Sequence, residues 1–243
     1  MRFRSRIVPS LRALCVVVLA IWVWLIPQIG KADDALWHQQ TVNFLGTTLD
    51  RDHQPTGIVA KLNIAFRKRE DQELLNVSFA SGPGRFSPLT QVAIQEGIKG
   101  AALAADLDTR TWDVFLSFPF PGVTLYGESV SAMVSVAVLA MANDAPLLLN
   151  RVATGKITKD GHIGAVGGIP LKIQAAYAEH IQRVIIPEER FQEDNDWQTP
   201  FLMHISPVST VWQAYRMLTG QTLPGKNNQV SSTGHHAQRK KIN

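Results

Sequence analysis

The sequence predicts an α/β (α+β) domain built around a mixed sheet. Three observations carry this expectation. Short runs rich in β-branched and aromatic residues alternate with longer segments whose apolar residues recur at helical spacing. Clusters of Gly, Pro and Asp separate the two kinds of segment. A chain of 243 residues, 45% apolar and 18% charged, can bury the core of one medium-sized domain and still carry terminal extensions.

Residues 33–56 are poorly periodic and read as a lead-in strand and loops, with the domain proper at 57–222. Ile58 to Phe66 and Glu73 to Ala80 alternate loosely between apolar and polar residues, predicting two antiparallel strands. Ser81-Gly82-Pro83-Gly84 ends the second. Pro88 to Leu107 has helical spacing through Val92, Ile98 and Leu103, and Trp112 to Phe118 is a strand closed by Pro119-Phe120-Pro121-Gly122. Ser129 to Met141 predicts a helix too apolar on every side to lie at a surface. Val152 to Ile157 and His162 to Val166 form a hairpin across Lys159-Asp160-Gly161. Gly168 to His180 is a helix, and Val184-Ile185-Ile186 a buried strand closed by Pro187. Ser206 to Leu218 is the last helix, capped by Ser206 or Ser209 and stopped by Gly220.

The charge sits at the ends. The net charge is +4, yet residues 1–32 carry +5 and the tail from Gly225 carries +4, which leaves −5 for residues 33–224. A mildly acidic folded part argues against nucleic acid as a partner. Arg2, Arg4, Arg6 and Arg12 precede an apolar run from Ala13 to Ile26, then Pro27 and Gly30-Lys31-Ala32. That is the order of a secretory signal peptide cleaved after Ala32, and it implies export to the periplasm or beyond the cell. The alternative is an uncleaved anchor in the inner membrane, for which the run is short. Cys15, the sole cysteine, lies in this segment, so the mature chain has no disulfide to form. The polar, basic tail at 223–243 has nothing to bury and reads as disordered.

Several site types are absent from the sequence. It has no G-x-x-x-x-G-K-[ST] loop, and Gly161, Gly164, Gly167 and Gly168 miss the dinucleotide spacing. No His, Cys and carboxylate cluster has metal-ligand spacing, so no cofactor or metal is expected. Gly127-Glu128-Ser129-Val130-Ser131 resembles a nucleophile elbow but has Ser where the second Gly belongs. What remains is a serine at a helix start and a lysine in another helix. A helix start offers free N–H groups and a positive dipole end that suit an oxyanion. Lysine serves as a base only when neutral, which requires an apolar surround, and Lys172 lies within Ile169-Pro170-Leu171-Lys172-Ile173. Taken as chemistry alone, Ser129 could equally be a helix cap and Lys172 a solvated surface residue.

A family resemblance adds weight to the first reading. Ala153-Thr154-Gly155-Lys156-Ile157, followed by Gly161 and by Val166-Gly167-Gly168, resembles the Lon protease stretch that runs T-G-E-I, a G, then P-I-G-G before the catalytic lysine. Without gaps, the family's lysine falls on Lys172 and its serine on Ser129, in a Gly127-Glu128-Ser129-Val130-Ser131 similar to the archaeal-type G-D-S-A-S. Val184-Ile185-Ile186-Pro187-Glu188-Glu189 is similar to the family's V-x-I-P-E-E strand end, and the resemblance spans roughly residues 55–220. It implies the Lon proteolytic fold, which is ribosomal protein S5 domain 2-like, here as a stand-alone form without the ATPase. It also implies a serine-type endopeptidase in which Ser129 attacks, Lys172 takes its proton and Thr154 holds the amine. The oxyanion hole would come from amides around Ser129.

Glu128 supports the site with negative charge, which would favour the ammonium form of Lys172. Many Lon proteins have an acid three residues before the serine; Tyr126 stands there in this chain. Ser131 is a rival nucleophile that breaks the family spacing, and His162 reads as a surface residue of the hairpin. The expected partners are polypeptide substrates and a ring homo-oligomer, with a membrane only if the N-terminal segment stays uncleaved. The competing function is a non-catalytic binding or scaffold module on a degenerate Lon fold, or an anchored regulator of a membrane protein, because fold alone does not fix activity.

Overall fold

The computed structural model describes residues 37–71, 73–194 and 197–224, and the expected leader at 1–32 and the basic tail from 225 lie outside these residues. The described residues form an α/β arrangement with a mixed sheet, as the alternating pattern implied. The main sheet has the order β1 (His38–Leu49), β2 (Pro55–Lys68), β5 (Trp112–Ser117), β3 (Asn76–Phe79). β1 and β2 form an antiparallel hairpin paired from His38–Phe66 to Leu49–Pro55. Its turn is held by the Asp50 carboxylate, which accepts from the amides of Asp52 and Gln54 at 2.8 and 2.9 Å. The boundary expected after residue 56 therefore falls inside β2, because every β1 residue has a partner on that strand.

The two central segments do not pair with each other. β2 is antiparallel to β5, and β3 lies parallel to β5 on its other side. The reason is the connection: β3 reaches β5 through helix α1 (Pro88–Ala104), and a helical crossover returns the chain in the same direction. Asp113 ties three strands together. Its buried carboxylate receives Arg67 from β2 at 2.9 Å and Asn76 from β3 at 2.8 Å. Along β2, Ala60, Leu62, Ile64 and Phe66 alternate inward, the pattern of a half-buried strand.

α1 begins at Pro88, capped by the Ser87 hydroxyl, which accepts from the Thr90 amide at 3.2 Å. Its inner face is Thr90, Ala93, Ile94, Gly97, Ile98 and Ala101; Val92 and Leu103, which helped to mark the helical spacing, are exposed. The small residues let α1 lie close to helix α2 (Ser131–Ala142), among the described residues the one helix buried throughout. α2 starts two residues later than expected, so Ser129 stands in the turn before it.

A second sheet, β11 (His204–Val208), β10 (Arg183–Pro187), β7 (Arg151–Ala153), is wholly parallel. The strand expected over Val152 to Ile157 is broken: β7 ends at Ala153, and Lys156–Ile157 turns away as β8 to pair with β9 (Ile163–Gly164). Arg85–Phe86 and Thr124–Leu125 (β4 and β6) form a short parallel pair. The last helix, α4 (Val211–Thr219), is shorter than expected because residues 204–208 are spent on β11. Pro207 is tolerated there because β11 is an edge strand. The cap is Thr210, in a capping box with Gln213, rather than Ser206 or Ser209, and Gly220 ends the helix in a left-handed conformation as expected.

Helix α3 (Ile169–Ala178) rests on β2 at Gly57, where an added Cβ would lie 2.0 Å from the Leu171 carbonyl oxygen. The helix that carries Lys172 therefore sits backbone to backbone on the sheet. Gly57→Ala should push α3 outward and lower stability by about 1–3 kcal/mol, the usual scale of overpacking. A thermal melt checks this, and an unchanged melting temperature would mean that α3 is not packed against Gly57.

Candidate active site

Local geometry brings Lys172 inward. Gly168 enters α3 at a φ of 74°, a turn that favours glycine, and a Cβ there would lie 2.7 Å from Thr47. The Lys172 amide then donates to the Gly168 carbonyl at 3.0 Å, closing the first turn. The side chain is 3% exposed, and its Nζ donates to Thr154 Oγ1 at 3.3 Å. Thr154 is buried at the break between β7 and β8, its amide still bonded to the Ile185 carbonyl at 2.9 Å. Removal from water lowers the Lys172 amine to about 8, and the Asp194 carboxylate acts in the opposite sense.

The serine is placed by the same break. The Gly155 amide donates to the Ser129 carbonyl at 3.0 Å, and the Gly155 carbonyl accepts from the Ala132 amide at 3.1 Å. These bonds stitch the turn ahead of α2 to the β7–β8 corner. Glu128 adds an ion pair with Lys156 at 2.7 Å. Ser129 is half-buried, and among the described residues its side chain makes no cap bond to α2. The helix-cap reading of this serine fails on that point.

Ser129 and Lys172 open on one cleft of about 710 Å³. One wall comes from β1 and β2, through Phe44 to Thr48 and Ile58; another comes from Val123 to Val130; Ala165 to Gly168 and Phe191 complete it. Tyr126, at the position where an acid was absent from the motif, lines the same cleft and is largely exposed. Of the residues singled out by sequence, Ser129, Lys172, Glu128 and Tyr126 thus meet at the cleft, with Thr154 behind the lysine.

Two details differ from the sequence reading or were missed by it. The carboxylate that favours the ammonium of Lys172 is Asp194, whereas Glu128 is engaged by Lys156. Asp194 gave little signal, because it stands among Glu193, Asn195 and Asp196, a stretch that looks solvated. The β1 wall was also missed, since residues 44–48 carry no motif. Ser131, the rival nucleophile, is fully buried; its hydroxyl accepts from the Ile157 amide at 3.2 Å and donates to the Gly155 carbonyl at 3.4 Å. His162 is exposed, bonded to Asp160 at 2.8 Å, and faces a separate pocket with Glu188 and Glu189.

Comparison with known proteins finds the Lon protease family. Residues 94–211 match the family model described as the Lon protease (S16) C-terminal proteolytic domain, a span that includes Ser129, Thr154 and Lys172. The archaeal Lon protease of Methanocaldococcus jannaschii is 32% identical over 83 residues, covering 34% of this chain and 13% of that protein. Lon protease of Rickettsia bellii is 26% identical over 157 residues, covering 58% and 20%. The peroxisomal Lon protease homolog 2 of Caenorhabditis briggsae is 31% identical over 81 residues, covering 33% and 10%. The chain thus spans only a small part of the length of these relatives.

The buried hydroxyl of Ser131 has a structural role. Ser131→Ala leaves the Ile157 amide without an acceptor at a buried corner, and the loss should be about 1–3 kcal/mol. Chemical denaturation measures it; an unchanged midpoint would show that the hydroxyl is not needed there.

Proposed function

We infer that this Lon-type proteolytic domain is a serine endopeptidase working through a Ser129–Lys172 dyad. One observation carries the reading: a serine held on a stitched turn and a buried lysine of lowered basicity open on the same cleft. Neutral Lys172 takes the Ser129 hydroxyl proton as Oγ bonds to the peptide carbonyl carbon, and the carbonyl electron pair moves to oxygen. The amides of Ser129 and Val130 are the oxyanion donors this reading assigns; those of Ser131 and Ala132 already donate to Glu128 and Gly155. As the intermediate collapses, the leaving amine takes the proton from the Lys172 ammonium. A water molecule, deprotonated by neutral Lys172, then attacks the acyl carbon, and as the bond to Oγ breaks the Lys172 ammonium returns the proton to Ser129. Thr154 keeps Nζ in place throughout.

The expected substrates are unfolded or exposed polypeptide segments, since an extended chain can lie in the open cleft that Ser129 and Lys172 line. Export through the segment at 1–32 would place this activity in the periplasm or outside the cell. Tyr126, in place of the usual acid, favours the rival reading of a non-catalytic binding module. A fluorophosphonate probe separates the two, since it labels Ser129 only if the hydroxyl is activated.

Ser129→Ala should abolish hydrolysis of an unstructured peptide, whereas Lys172→Gln should lower it by about 10²–10⁴-fold, the typical contribution of a positioned base. Mass spectrometry of the peptide products reads both; activity that survives in Ser129→Ala sinks the assignment.

The pH dependence follows from the base. The neutral amine is the active form, so the rate should rise with pH through about 8 and fall below it. At pH 7 only about a tenth of Lys172 would be neutral if its amine titrates near 8. An inflection near the ordinary histidine value that persisted in Lys172→Gln would point to an imidazole base.

A further inference from the structure

Asp194 closes the short 3-10 turn Gln192–Asp194 and is 4% exposed. Its Oδ1 accepts a hydrogen bond from the Ile169 amide at 3.0 Å. Ile169 is the first residue of α3, and the residue before it, Gly168, has no side chain with which to cap the helix. A helix start leaves amides without intrahelical acceptors and gathers positive partial charge. A carboxylate from a separate loop does here what an Asp cap does from within a helix. Lys172 lies on the turn so capped. Among the described residues Asp194 Oδ2 has no hydrogen-bond partner, and the charge of the carboxylate acts on Lys172.

We propose that Asp194 is a positioning residue for Lys172: its carboxylate fixes the first turn of α3 and sets its negative charge at the start of the helix that carries the amine. This deepens the Ser129–Lys172 reading and rests on it for its catalytic meaning. The other groups around the lysine leave this role to Asp194. Glu128 is paired with Lys156, and Arg190, in the loop of Asp194, lies over the Trp197 ring. β1 and β2 bring Thr47, Thr48 and Ile58 to the cleft, and β7 leads into Thr154; none of these carries charge. Glu188 and Glu189, just past β10, line the pocket of His162 instead. The carboxylate therefore fixes where the amine sits while opposing its deprotonation. Burial must outweigh it for the base to work, and the lowered basicity of Lys172 means that burial does.

The test is a titration of the Lys172 side chain by carbon-13 NMR at Cε in the full chain, with Lys172→Gln assigning the resonance. Asp194→Asn keeps an acceptor oxygen for Ile169 but removes the charge. Its Lys172 midpoint should fall by about one unit or more, the effect of losing a nearby opposite charge, and the rising limb of peptide hydrolysis should move with it. Asp194→Ala should shift the midpoint the same way and also lose amide protection in the first turn of α3 by hydrogen exchange. Asp194→Ser, uncharged and still able to cap, serves if the asparagine variant does not fold. An unchanged or raised midpoint in Asp194→Asn overturns the proposal, as does full protection of that turn in Asp194→Ala. If the midpoint falls while the wild-type chain cleaves no peptide, Asp194 keeps its place and the dyad reading is the one that fails.

Discussion

The structure depends on keeping one amine out of water. Lys172 is charged in any unfolded chain at neutral pH, and burial penalises that charge. Its folded value of about 8 lies below the ordinary 10.5, so between these values the unfolded chain binds more protons than the folded one. The contribution of this group to stability therefore rises as pH climbs through that window, and its burial is most costly below about 8. The fold absorbs that cost, and a buried amine of lowered basicity is what the proposed dyad requires. The close seat of α3 on Gly57, the hydroxyl of Thr154 and the remote cap from Asp194 all serve to hold the lysine where solvent would not.

The second element of the site is placed by a strand that stops early. Had β7 run on to Ile157, Gly155 would have been consumed in the ladder of the parallel sheet. Instead the chain turns at Gly155, and the freed amide and carbonyl of that residue bind the turn before α2. Ser129 and Ser131 sit two residues apart on this junction with opposite fates. Ser131 enters the helix and spends its hydroxyl on Ile157 and Gly155, while Ser129 stays in the turn at the cleft. α2 itself has no solvent face, so the turn it anchors rests on the core of the domain.

The cleft shows how residues with no motif become part of a site. β1 supplies Phe44 to Thr48 as one wall because it pairs along its whole length with β2, which also seats α3. Cleft wall and lysine helix thus share a single strand. The Glu128–Lys156 pair is a partly exposed link across the serine turn, and such pairs contribute little alone.

The Lon resemblance singled out Ser129 and Lys172, and the sequence by itself determined the mixed α/β class, the strongly apolar α2, the β8–β9 hairpin and the Gly220 stop. These are local or periodic signals: apolar repeat, turn residues and motif distance follow from neighbours in the chain. Only the tertiary structure decided that β3 joins β5 rather than β2, that α1 turns Val92 and Leu103 outward, and that residues 204–208 make an edge strand instead of a helical turn. It also decided that Asp194 rather than Glu128 is the acid acting on the lysine. Each of these outcomes depends on which distant segment lies alongside, and a carboxylate among other polar residues looks solvated until the fold removes its water.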